Sequence, residues 1–180
     1  MKTYRLRPHP AHPPLAVSSV ETGIVGRDWN WLHLRWRIEG SGKLVVPPFA
    51  GKGRADDLWQ TTCFEMFLRP PGDSSYSEFN LSPSERWNAY DFAARRTGMT
   101  ERTMPRAPVC TTRPGSAFAI FDAAIPAAGL PREECAMALA CVIEEAGGQK
   151  SYWALEHGGF APDFHDPACF TARLGAPTDA

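Results

Sequence analysis

The stretch Cys63–Phe92, CFEMFLRPPGDSSYSEFNLSPSERWNAYDF, decides how the rest of the chain is read. It alternates apolar and polar residues through three short runs, and a period of two sends successive side chains to opposite faces of a strand. Phe64, Met66 and Leu68 form the apolar set of the first run, Phe79 and Leu81 that of the second, and Tyr90 with Phe92 that of the third. Setting these residues on one core leaves Cys63, Glu65, Phe67, Tyr76, Glu78, Asn80, Trp87, Ala89 and Asp91 on the reverse. Connections of about six and four residues let the three runs pair as a meander.

Outward from this stretch the same period recurs. A first strand is expected around Leu15–Glu21. In WNWLHLRWRIEG, residues 29–40, Leu32, Leu34, Trp36 and Ile38 share one face, with Trp31, His33, Arg35 and Arg37 on the other. KLVVP at 43–47 is a further short run, and residues 117–125 alternate again. Residues 136–145 are apolar on both faces, the pattern of a central strand. AGGQK then turns the chain into SYWALEH as a hairpin, and CFTARL at 169–174 is expected to close the sheet. Only Pro126–Cys135 invites a helix, kept short by Gly129 and Pro131.

This reading predicts an all-β protein of about eight to eleven strands, an antiparallel β-sandwich rather than a closed barrel, with at most one short helix. Parallel α/β architecture is excluded because helical patterns do not alternate with the strands. At 180 residues the chain is expected to be one domain, with a Pro-rich segment over 1–14 and a frayed tail over 175–180. The net charge of −1 offers no basic field for nucleic acid or anionic lipid. No apolar run is long enough to span a membrane, and no secretory leader is visible, so a cytoplasmic location is expected. The five cysteines, Cys63, Cys110, Cys135, Cys141 and Cys169, lack metal or redox spacing and read as buried free thiols.

The reverse face carries the chemistry. Carboxylates and amides beside aromatic rings suit a pyranose, whose hydroxyls need donors and acceptors and whose C–H face stacks on an indole. Glu65, between Cys63 and Phe67, reads as partly buried, and Arg35, Arg37 or Arg86 could pair with it. Trp59, Trp87 and Trp153 stand in or beside these segments as either core or sugar platforms.

Three segments, LWQTTCFEMFL, YSEFNLSPSERWNAYDF and the later SYWALEH with PDFHDP, resemble the DOMON-like proteins related to family 9 carbohydrate-binding modules. The resemblance runs over Leu58–Leu174. It implies an immunoglobulin-like sandwich that binds sugar or, in other branches, haem, with Glu65, Glu78 and Asn80 nearest the ligand face. The expected site is therefore Glu65, Glu78, Asn80, Trp87, Trp59 and Trp153. The expected function is non-catalytic binding of a carbohydrate or sugar-like metabolite. A haem-binding module and a protein-interaction face without a small ligand are the alternatives.

His157, Asp163, His165 and Asp166 share one turn-rich loop. His157 and His165 are the candidates there for a metal, although no tight ligand spacing is present. For haem, the candidates by resemblance are Met66, Met99, His157 and His165, with Met66 expected to point into the core. No catalytic residue is expected. Ser82 and Ser84 lack a nucleophile elbow, and Glu144 and Glu145, adjacent on a strand, face opposite sides.

Overall fold

The computed structural model describes residues 2–178; Met1 of the expected N-terminal segment and Asp179 and Ala180 of the expected tail lie outside them. Among the described residues there are thirteen strands: β1 Lys2–Pro8, β2 Ser19–Arg27, β3 Trp31–Glu39, β4 Gly53–Arg54, β5 Cys63–Arg69, β6 Tyr76–Leu81 and β7 Arg86–Phe92, followed by β8 Thr100–Glu101, β9 Val109–Arg113, β10 Phe118–Pro126, β11 Cys135–Glu145, β12 Gln149–Ala154 and β13 Ala172–Leu174. Helix is confined to 3-10 turns of three residues, so the stretch 126–135 holds only the turn Ala127–Gly129.

The strands form one continuous sheet in the order β4-β7-β6-β5-β11-β12-β1-β2-β3-β10-β9, with β8 beside β7 and β13 beside β11. Every named pair is antiparallel except β4 with β7. β1 is the joint. Its first residues pair with β2, while Arg7 and Pro8 pair with β12. The sheet curls there, bringing its two wings face to face over an apolar core. Phe64 of β5 stacks on Phe121 of β10 at 4.1 Å between centroids, and Trp36 of β3 lies 5.4 Å from Phe64. Each such ring, removed from water, contributes about 1.5–3 kcal/mol.

The alternation of β3 holds in full, with Leu32, Leu34, Trp36 and Ile38 buried. The central β11 also behaves as its sequence implies. Met137, Leu139, Cys141 and Ile143 enter the main core, while Ala138, Ala140 and Val142 pack on the reverse. The β11–β12 hairpin forms through Gly147 and Gly148, both at positive φ. All five cysteines are free and buried.

Several elements differ from the sequence reading. The first strand is β1, inside the segment read as Pro-rich, and the next begins only at Ser19. The intervening Leu15–Val17 is held as a loop by Glu145, whose buried carboxylate accepts the backbone N–H groups of Leu15, Ala16 and Val17 at 2.6, 2.7 and 3.1 Å. Residues 43–47 form no strand beyond a bridge from Leu44 to Glu145. The last strand pairs the start of β11 instead of closing the sheet.

The most consequential difference is the register of β7. Trp87 lies opposite Leu81 and Ala89 opposite Phe79, so both face the core, and Asp91, opposite Ser77, lies on the same side of the sheet, half-exposed and paired with Arg102. Tyr90 opposes Glu78 and Phe92 opposes Tyr76, which sends both rings to the reverse. The alternation was ambiguous here because both faces of β7 are covered, one by the core and one by aromatic side chains. Glu65, Phe67, Tyr76, Glu78 and Asn80 keep the face their sequence implies.

Candidate functional site

Five adjacent strands, β7-β6-β5-β11-β12, floor a cavity of about 630 Å³ on the reverse of the sheet. The floor is Glu65 of β5, Glu78 and Asn80 of β6, Tyr90 and Phe92 of β7, Val142 of β11 and Tyr152 of β12. The rim comes from elsewhere in the chain: Asp56, Asp57 and Trp59 before β5, Arg96 and Met99 after β7, and Pro162, Phe164 and His165 before β13, with His12 beside them.

Glu65 and Asn80 are directly opposed across β5 and β6, and each is 3% exposed. The Asn80 Nδ2 donates to Glu78 Oε1 at 2.8 Å, whereas Asn80 Oδ1 is buried without a partner. Glu65 makes no side-chain hydrogen bond or ion pair with any described residue. Arg35, Arg37 and Arg86 do not reach it. Arg35 pairs with Asp122, Arg37 with Glu39, and Arg86 donates to the Ala50 carbonyl.

Burial pushes the Glu65 carboxyl well above the ordinary range, and the nearby Glu78 adds to the shift against the pull of Arg96. Burial likewise raises Glu78 to about 7, opposed by the Asn80 hydrogen bond and by Arg96. Removing a carboxylate from water disfavours its charge, and two acids sharing one space cannot both ionise cheaply.

A relay orients Glu78. The Arg96 backbone N–H donates to the Tyr76 hydroxyl at 3.1 Å, and that hydroxyl shares a hydrogen bond with His165 Nδ1 at 2.7 Å. His165 Nε2 faces Glu78 Oε2 at 3.6 Å. Burial, followed by the charge of Arg96, holds His165 down to about 4, so its ring is neutral near pH 7.

The His165 loop is pinned from outside. Although burial opposes it, the Arg95 and Arg96 guanidiniums hold Asp163 down to about 2, and Arg95 also reaches Asp166. On the other rim, Asp56 accepts from Asn88 Nδ2 at 3.0 Å and from the Tyr90 hydroxyl.

The structure thus brings Glu65, Glu78, Asn80 and Trp59 together, with Trp59 49% exposed at the rim. It does not bring Trp87 or Trp153 there. Both lie in the main core, 5% and 2% exposed. Trp87 carries the Arg54 guanidinium on its ring, and Trp153 donates its Nε1–H to Ser151 Oγ. Among the described residues no group of three or more His, Cys, Asp or Glu is arranged to hold a metal ion. His157 is spent away from the cavity, on the Arg7 carbonyl. Of the haem candidates, Met99 and His165 line the cavity while Met66 is buried in the core. One His165 nitrogen contacts the Tyr76 hydroxyl and the other is turned to Glu78.

Asp56, Tyr90, Phe92, Arg96, Tyr152 and Phe164 were not expected at the site. The pair Asp56–Asp57 so close to Trp59 was a visible signal, and a correct β7 register would have added Tyr90 and Phe92. Arg96 and Phe164 carry no local signature.

No family model matches the sequence, and no curated protein matches it significantly. Solved structures do match. A presumed carbohydrate-binding protein from Bacteroides uniformis ATCC 8492 superposes with a TM-score of 0.64 at 17% identity, over 96% of this chain and 85% of that one. A family 9 carbohydrate-binding module from Caldicellulosiruptor kristjanssonii, in complex with glucose, superposes with a TM-score of 0.52 at 9% identity, over 97% and 84%. At these identities the likeness speaks for architecture, and in its fold the chain is similar to family 9 carbohydrate-binding modules.

Proposed function

We propose that this chain is a non-catalytic binding protein whose cavity takes a carbohydrate or sugar-like metabolite, through Glu65, Glu78 and Asn80 with Trp59 at the rim. The observation that carries the reading is a pair of buried polar side chains, Glu65 and Asn80, left with unused acceptors in a cavity of about 630 Å³. Buried polar groups are nearly always satisfied, so unpartnered acceptors on residues that line a cavity support a ligand there. The volume suits a small molecule. Half-exposed Trp59 offers a flat apolar surface to a pyranose ring, and Phe92 and Phe164 supply further apolar wall. The fold likeness to carbohydrate-binding proteins supports the same reading. On this view the two wings of the curled sheet correspond to the layers of an immunoglobulin-like sandwich.

A protein-interaction face would be flat; here the acidic groups lie in a recess. Isothermal titration calorimetry against a panel of mono- and disaccharides tests the proposal. Binding by the wild type should weaken about tenfold or more in Glu78→Ala. A panel without any binder would sink it.

A further inference from the structure

Resting on the carbohydrate reading, the geometry points to a narrower ligand class: a sugar carrying a protonated amine, with its ammonium seated on the Glu65–Glu78–Asn80 floor. The protein sends few donors of its own to the acceptor atoms of this floor. Both Glu65 oxygens and Asn80 Oδ1 receive no hydrogen bond from the protein, and Glu78 Oε2 has only the His165 Nε2 atom nearby, at 3.6 Å. An ammonium brings three donors and no acceptor, the complement of such a floor.

Charge argues the same way. Buried acids are ordinarily matched by a cation. The lining holds four acidic side chains, Glu65, Glu78, Asp56 and Asp57, against one arginine. That arginine, Arg96, is committed through Nε and Nη2 to Asp163 Oδ1, at 3.1 and 2.8 Å. In the free protein, burial keeps protons on the acid pair. A ligand ammonium displaces one of those protons to solvent, so the pair carries one carboxylate charge beneath it and forms charge-assisted hydrogen bonds that a neutral hydroxyl cannot match. Phe92 and Phe164 exclude water beside it.

Titration calorimetry of the intact chain near neutral pH, with D-glucosamine, D-glucose, N-acetyl-D-glucosamine and cyclohexylamine, decides the matter. Glucosamine should bind roughly tenfold or more tightly than glucose. N-acetylation, which removes the charge, should erase that advantage in the wild-type protein. Glu65→Gln and Glu78→Gln should each reduce it, with folding checked by denaturant unfolding. Glucose binding as tightly as glucosamine overturns the inference and leaves the carbohydrate reading intact. Cyclohexylamine binding as well as glucosamine, with no response to glucose, overturns the carbohydrate reading instead. An advantage that survives both glutamine variants puts the cation elsewhere and overturns the inference. Silence from every titrant overturns both.

Discussion

Glu145 and Glu65 lie on neighbouring strands, β11 and β5, and both are buried, yet their surroundings are opposite. Glu145 is wrapped by the N–H groups of three consecutive residues and ties the 15–17 loop to the sheet. Glu65 faces an acid, an amide and a cavity, with no donor of its own. The tryptophans divide in the same way. Trp87 and Trp153 fill the core, whereas Trp59 stands half-exposed over the cavity. One molecule thus uses the same two residue types to build and to wait. The distinction lies in whether the protein supplies the partner, because a buried polar group without one costs stability that only a ligand can return.

The largest effect should come from the core. Trp87→Ala and Trp153→Ala are each expected to cost about 3–5 kcal/mol, read from denaturant unfolding. A loss below about 1 kcal/mol would mean that the rings are not packed as described. Glu145→Ala comes next, at about 3 kcal/mol, since three buried N–H groups lose their acceptor. A neutral outcome there would erase the contrast with Glu65.

The acid pair should behave in the reverse sense. Glu78 is raised in the folded state from an ordinary 4.5 to about 7. Its stabilising contribution is therefore complete below 4.5 and is lost as pH rises through 7, with Glu65 acting in the same direction. His165, lowered from 6.5 to about 4, contributes oppositely: its stabilisation is present above 6.5 and lost as pH falls through 4. The two trends offset one another between 4.5 and 6.5, and above that window the acids act alone. From there to about pH 8 the wild type should lose about 1–2 kcal/mol. A Glu65→Gln, Glu78→Gln double variant should be flat across the same range, and parallel curves for the two proteins would refute the acid-pair account. Smallest of all, Trp59→Ala should shift stability by no more than about 0.5 kcal/mol while weakening ligand binding about tenfold. Loss of stability comparable with Trp87→Ala would show that Trp59 belongs to the core.

By itself, the sequence determined the all-β class, strands β3, β10 and β11, the β11–β12 hairpin, and the shared face of Glu65, Glu78 and Asn80. These follow from the pleat, whose period of two acts along a few residues and needs no distant partner. Local alternation reports the side of a strand and not its depth. Where both sides are covered, as in β7, the contrast between them vanishes, and Tyr90 and Trp87 exchanged places. β1, rich in Lys and Arg and ending in proline, owes its strand to the β2 and β12 edges that receive it. The tertiary structure alone decided which tryptophan meets the cavity, and it delivered Asp56, Arg96, Phe164 and His165 to one rim from three separate loops. Those contacts depend on how the curled sheet and its loops close in space, and no short-range pattern in the chain encodes that distance.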